Sequence, residues 1–183
     1  MTEYQNNQGL LIWITGLPGS GKTTLARETY RLLRTKLPIV QMDGDIFREI
    51  MGSDLRYTIE DRKKNAYRLV KMNKHIVDNG VNIICSTVSL YQEIHDWNNQ
   101  NIANLVTVYI DVPIEILKQR NKSDLYSQIS VEGIDNLGGI NQAYQKLQNP
   151  QFTILNDSSI DIFLSNAQKI ADLALQKIKS KNE

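Results

Sequence analysis

Residues Gly16 to Thr24 read Gly-Leu-Pro-Gly-Ser-Gly-Lys-Thr-Thr. The spacing G-x-x-x-x-G-K-[ST] is that of a phosphate-binding P-loop, because glycines let backbone N–H groups close around phosphate oxygens. An apolar run, Leu10-Leu11-Ile12-Trp13-Ile14, precedes it, and a helix-patterned stretch follows. That context matters, since the following helix points its positive end at the same phosphates. Gly16, Gly19, Ser20, Gly21, Lys22, Thr23 and Thr24 are therefore the candidate contacts to ATP. Lys22 has the reach to touch the β- and γ-phosphates, and the Thr23 hydroxyl can ligate Mg²⁺. The plain alternative is a glycine-rich turn ahead of a structural helix.

A second cluster follows at Met42-Asp43-Gly44-Asp45, with Arg48 one turn later. Two carboxylates beside a triphosphate repel it unless a metal or a substrate hydroxyl intervenes. One can hold the water shell of Mg²⁺ while the other accepts a hydroxyl proton. Asp45 is the first choice to orient and deprotonate the hydroxyl, with Asp43 supporting it or the metal. A structural reading coexists with this one: Asp43 caps the next turn and Asp45 serves as the helix N-cap. Farther on, Arg62, Asn65 and Arg68 recur at i, i+3 and i+6 along one side of a helix. Two guanidiniums and an amide can grip a diphosphate-like anion, although a solvated charged face has the same spacing.

These residues must be held by an alternation of strands and helices. Strands are expected at Leu10–Thr15, Ile39–Met42, Val81–Val88, Leu105–Asp111 and Phe152–Leu155. Helices are expected at Lys22–Lys36, Ile46–Met51, Ile59–Asn79, Ile114–Arg120, Asn141–Leu147 and Ile160–Lys179. The alternation predicts an α/β fold, a three-layer P-loop NTPase type with a parallel five-stranded sheet covered on both faces. The P-loop and the Asp43–Asp45 turn then lie beyond the same strand ends and face one cleft. The stretch 121–139 has weak periodicity and is expected to be a lid within a single domain, residues 1–183.

At this point the chain resembles the adenylyl-sulfate kinase family. The resemblance rests on GLPGSGKTT, on DGD-x-x-R at Asp43–Arg48, and on DR-x-x-N-x-x-R at Asp61–Arg68. Ser89-x-Tyr91, Ile110-Asp111-Val112-Pro113-Ile114-Glu115, Gln119-Arg120 leading to Leu125-Tyr126, and Asn149-Pro150 also match, in order, over roughly residues 10–157. The resemblance implies a kinase that uses MgATP to phosphorylate the ribose 3′-hydroxyl of a nucleotide. It implies that Arg48, Arg62 and Asn65 bind the acceptor's anionic moiety, that Arg120 lies near the ATP base, and that Ser89 borders the substrate. Ser89 aligns with a serine that is phosphorylated in some members; hydrogen bonding to substrate is the expected role here. A homodimer is the expected assembly.

The departures fall in the acceptor half. Tyr57 stands where the family typically has Phe, and Leu137 replaces a second Phe that completes an aromatic clamp on adenine. Ser-Pro-Tyr-Arg has become Ser89-Leu90-Tyr91-Gln92, and Lys-Gly-Leu-Tyr has become Ser123-Asp124-Leu125-Tyr126. Each stacking contact on a base contributes roughly 1–3 kcal/mol. Ser86-Thr87-Val88-Ser89 and Trp97-Asn98 resemble a capsule-biosynthesis branch that phosphorylates cytidine diphosphoramidate. That acceptor is placed ahead of adenylyl sulfate, the alternative, whose product 3′-phosphoadenylyl sulfate belongs to sulfate assimilation.

Other classes are disfavoured by composition. The 183 residues carry 21 Lys plus Arg against 20 Asp plus Glu, so no global charge recruits nucleic acid or a membrane. Cys85 is the only cysteine and sits in an apolar run, which excludes a disulfide framework and predicts a buried thiol. His75 and His95 lack partners at metal-ligand spacing and are expected in surface or packing roles. No signal-peptide pattern or membrane-length run is present, so a cytoplasmic location is expected. A nucleotide-dependent regulatory switch is the reading of another class, but no clear G-protein base motif supports it. A non-catalytic nucleotide-binding relic is opposed by the intact Lys22, Thr23, Asp43 and Asp45.

Overall fold

The computed structural model describes residues 8–56, 58–120 and 146–180. Strand β1 (Leu11–Gly16) leads through the P-loop into helix α1 (Lys22–Leu33), then β2 (Ile39–Asp43), α2 (Gly44–Met51) and α3 (Ile59–Asp78). Strand β3 (Asn82–Thr87), α4 (Gln92–Asn101), β4 (Leu105–Asp111), α5 (Ile114–Arg120), β5 (Phe152–Leu155) and α6 (Ile160–Lys179) complete the described chain. The strands form one parallel five-stranded sheet in the order β2-β3-β1-β4-β5. This is the expected α/β P-loop arrangement.

Strand β1 is central and has no solvent face, so both its alternating sets of side chains are apolar. Leu10, Ile12 and Ile14 pack with Leu25, Ala26 and Leu33 of α1 and with Phe163, Ala167, Ile170, Ala171 and Ala174 of α6. Leu11 and Trp13 point the other way, into a second core with Phe47 of α2, Leu69 and Val70 of α3, and Ile94 of α4. Each such buried aliphatic or aromatic side chain contributes roughly 1.5–3 kcal/mol. The site at the end of β1 is thus anchored from both faces of the sheet. Cys85 lies in the second core, and burial pushes its thiol up to about 12, so it is unreactive there. No described helix is long and apolar enough to cross a membrane.

Three elements differ from the expectation. Helix α1 ends at Leu33, and a turn over 34–36 absorbs the rest before Pro38. Helix α4 was not expected: its buried face is Ile94, His95 and Asn98, so the apolar repeat that reveals a helix is replaced by polar side chains. Lys146 and Leu147 are not helical, while the rest of the expected helix Asn141–Leu147 lies outside the described residues. The expected lid at 121–139, with Leu137, also lies outside them, as does Tyr57.

Candidate active site

The P-loop bends sharply because Gly19 and Gly21 adopt φ of 75° and 98°, a region that disfavours side chains. At Gly21 a Cβ would also sit 2.9 Å from the Phe163 ring and 3.0 Å from Asn156 Nδ2, so α6 and the chain after β5 hold the loop from behind. Helices α2, α3 and α6 each have their first turn capped by a side chain, from Asp43, Thr58 and Ser159. Helix α1 has no side-chain cap and no acidic residue in its first turn. Its N–H groups and positive dipole end are left for an anion.

Lys22 lies half-buried at that end, with Nζ donating to the Leu17 carbonyl at 2.8 Å across the loop. Burial pushes its ammonium down to about 8, against the pull of Asp45 and then Asp43. A triphosphate in the loop would supply the missing charge partner. Thr23 Oγ1 donates to Asp43 Oδ2 at 3.0 Å, and Ser86 Oγ donates to the same oxygen at 3.0 Å. The other oxygen, Asp43 Oδ1, accepts from the Asp45 backbone N–H at 3.0 Å and caps α2. Asp43, not Asp45, is therefore the N-cap. Asp45 stands exposed in the first turn, and its carboxylate makes no hydrogen bond or ion pair within 4 Å to a described residue. The two acids are chemically divided: one is tied into the fold, the other is available to a reacting group.

On α2, Arg48 Nη2 donates to the Arg56 carbonyl at 2.6 Å, which fastens the chain between α2 and α3. Its positive charge also acts on Asp61, the residue beside Arg62. Arg62 and Asn65 follow on α3; Asn65 is 9% exposed and its Oδ1 has no hydrogen-bond partner among the described residues. Arg68 departs from the expected anion grip. It makes a bidentate pair with Asp54, both contacts 2.7 Å, and a further bond to the Met51 carbonyl. Its guanidinium braces the loop after α2.

Beyond β3, Thr15 Oγ1 donates to the Ser89 carbonyl at 3.1 Å, and Ser89 Oγ is buried without a partner among the described residues. Tyr91 lies half-buried, with Lys63 Nζ 5.4 Å from its ring centre. Arg120, at the end of α5, donates through Nη2 to the Asn156 backbone carbonyl at 3.0 Å and to Oδ1 at 3.2 Å.

Two residues escaped the sequence reading. Asn156 is buried and links Arg120 to the P-loop, since its Nδ2 donates to the Ser20 carbonyl at 2.8 Å. Its position directly after the last strand was the available signal. Ser86 was noticed only as part of a serine pair, although β3 places it one strand from Asp43 in register. Gly16 ends β1, Ser20 in the loop is buried, and Thr24 in the first turn of α1 is exposed. Among the described residues, no group of three or more His, Cys, Asp or Glu gathers to hold a metal.

The family described as Adenylylsulphate kinase matches residues 8–155. An adenylyl-sulfate kinase of Halothermothrix orenii is 36% identical over 154 residues, covering 84% of this chain and 83% of that protein. A cytidine diphosphoramidate kinase of Campylobacter jejuni is 31% identical over 173 residues, covering 94% of this chain and 98% of that one. Among solved structures, the APS kinase CysC of Mycobacterium tuberculosis, in complex with AMPPNP and APS, superposes with a TM-score of 0.79. It is 27% identical, with 91% of this chain and 97% of that chain covered.

Proposed function

Since the chain belongs to the adenylylsulphate kinase family, we propose that it transfers the γ-phosphoryl group of ATP to the ribose 3′-hydroxyl of adenylyl sulfate. Kinase chemistry on a nucleotide hydroxyl is common to that family. One arrangement carries the finer reading: an uncapped α1 N-terminus and Lys22 face Asp45, a carboxylate with no hydrogen bond among the described residues, while Arg48, Arg62 and Asn65 lie on the adjoining helices.

Phosphoryl transfer asks mainly for positioning and charge neutralisation. The backbone N–H groups of Gly19, Gly21 and Lys22 cradle the phosphates, and Lys22 swings from the Leu17 carbonyl to the γ-phosphate. Asp45 orients the acceptor hydroxyl and takes its proton as the new P–O bond forms and ADP leaves. Arg48 and Arg62 neutralise the acceptor's anion. Arg120, held by Asn156, flanks the ATP base. The donor set fits Mg²⁺, which draws most of its ligands from phosphates and water. Thr23 Oγ1 would ligate it, and Asp43 would hold its water shell. The ion would offset charge on the β/γ-oxygens.

The sequence departures alone place cytidine diphosphoramidate first; family membership and the Halothermothrix relative favour adenylyl sulfate, so that order is reversed. The second reading keeps one supporting observation, the match to the Campylobacter protein over 98% of its length. The deciding experiment compares kcat/KM for both acceptors under saturating MgATP and locates the new phosphate by phosphorus NMR. Turnover of adenylyl sulfate with phosphate at the 3′ position supports the proposal. Turnover of the cytidine compound alone selects the second reading, and transfer to neither rejects both. The expected homodimer belongs to the same proposal and is checked by light scattering.

A further inference from the structure

We propose that His95 is a positioning residue for the acceptor nucleotide, acting through the carbonyl of Ser89. His95 lies on α4, 3% exposed, with Nε2 2.9 Å from that carbonyl oxygen. A carbonyl only accepts, so this nitrogen must carry the ring proton and the imidazole is the Nε2–H tautomer. Burial holds the ring neutral, with its pKa pushed down to about 4. The edge of the ring arrangement is set by Trp13, at 6.2 Å between centroids and 81° between planes. A packing role alone would be met by an apolar ring. A buried polar ring with a short, directed bond has a reason to be polar.

That bond falls at the point where the chain leaves β3 for the acceptor side. The Ser89 carbonyl takes a second donor, Thr15 Oγ1 at 3.1 Å, and Thr15 also reaches the Val88 carbonyl at 3.3 Å. Both lone pairs of the Ser89 oxygen are thereby used, one from β1 and one from α4. The next residues are equally tied, because Ile94 and His95 donate backbone N–H groups to the Tyr91 carbonyl at 3.0 and 3.4 Å. The segment Val88–Tyr91 is thus clamped between the central strand and α4. It carries the unpartnered Ser89 hydroxyl and the Tyr91 ring beside Lys63, the neighbour of Arg62. Loss of the His95 donor releases the aim of both side chains without touching the P-loop.

This inference rests on the acceptor reading of Ser89 given above, and the test separates the two. His95→Phe keeps an aromatic ring and removes the donor; His95→Gln restores an N–H at similar reach. Steady-state kinetics are measured with ATP and with whichever acceptor the unaltered protein turns over. Expected for His95→Phe is an acceptor KM raised about tenfold, equivalent to about 1.4 kcal/mol, with kcat and the ATP KM within about twofold. His95→Gln should recover most of the loss. Hydrogen exchange at residues 88–91 should speed up in the Phe variant and return in the Gln variant, whether or not any acceptor is present. If His95→Phe does not fold, Thr15→Val removes the other donor and should shift acceptor KM alone. An unchanged acceptor KM, an equal rise in both KM values, or a Gln variant no better than Phe overturns the proposal. Absence of any acceptor turnover in the unaltered protein rejects the acceptor reading instead; faster exchange at 88–91 then upholds the tether, and unchanged exchange overturns it.

Discussion

Asp43 and Asp45 are two residues apart, and their substitution should have opposite signatures. Asp43 accepts from Thr23 Oγ1, Ser86 Oγ and the Asp45 backbone N–H, each at 3.0 Å. Asp43→Asn preserves the cap, since Asn caps as well as Asp. With Oδ1 kept for the cap, the amide NH2 stands where Oδ2 was, so the Thr23 and Ser86 hydroxyls must turn round and accept, and both bonds change from charge-assisted to neutral. Hydrogen bonds to charged groups contribute roughly 1.5–3 kcal/mol and neutral ones roughly 0.5–1.5, a loss of about 1 kcal/mol each. The sum is about 2 kcal/mol, or about 4–8 °C in Tm for a chain of this length. Asp45 is exposed and makes no comparable bond, so Asp45→Asn should move Tm by less than about 2 °C. Its kcat should fall at least about a hundredfold, the usual range for loss of a positioned base, with the ATP KM little changed. Differential scanning fluorimetry and coupled ADP release read the two quantities on the same samples. The reasoning fails if Asp45→Asn keeps kcat within a few-fold. It also fails if Asp43→Asn is as stable as the unaltered protein.

Other consequences are equally direct. Lys22→Ala should abolish phosphoryl transfer while circular dichroism stays native, because Nζ bonds a backbone carbonyl, that of Leu17, and the Lys22 side chain belongs to neither apolar core. Near-normal turnover would remove Lys22 from the mechanism. Affinity for ATP should fall as pH rises through about 8, where unliganded Lys22 loses its proton. Bound phosphates favour the charged form, so binding takes up a proton between about 8 and the ordinary lysine value. Kd should then rise by up to about tenfold per pH unit, which calorimetry in buffers of different ionisation heat can check. The same lowered value means that this group's contribution to the stability of the unliganded protein rises with pH over that window, because the unfolded chain binds the extra proton. Asn156→Ala strands the Ser20 carbonyl and loosens Arg120, at a cost of about 1–3 kcal/mol. The ATP KM should rise about tenfold with the acceptor KM unchanged; equal effects on both would contradict its place on the nucleotide side.

Local chemistry decided the parts that can be read along the chain. The P-loop, the strand before it and the helix after it are contiguous, and their periodicities and glycines need no distant partner to be recognised. The ranges of β4, β5, α5 and α6 follow from the same short-range signals, as does the bound of α1 to within a turn. Tertiary structure decided what depends on residues far apart in sequence. Helix α4 was hidden because two of the three residues on its inward face, His95 and Asn98, are polar, and only the folded chain brings the Ser89 carbonyl to His95. Arg68, expected to face an anion, is instead bound by Asp54, fourteen residues earlier, which folds back onto it. Asp43 and Asp45 are alike as a sequence, and Thr23 and Ser86 divide them by binding one and leaving the other open. Asn156 has meaning only beside Ser20, 136 positions away. A side chain's type limits the bonds it can make, but the other elements packed around it determine which of those bonds form and which group is left free to react.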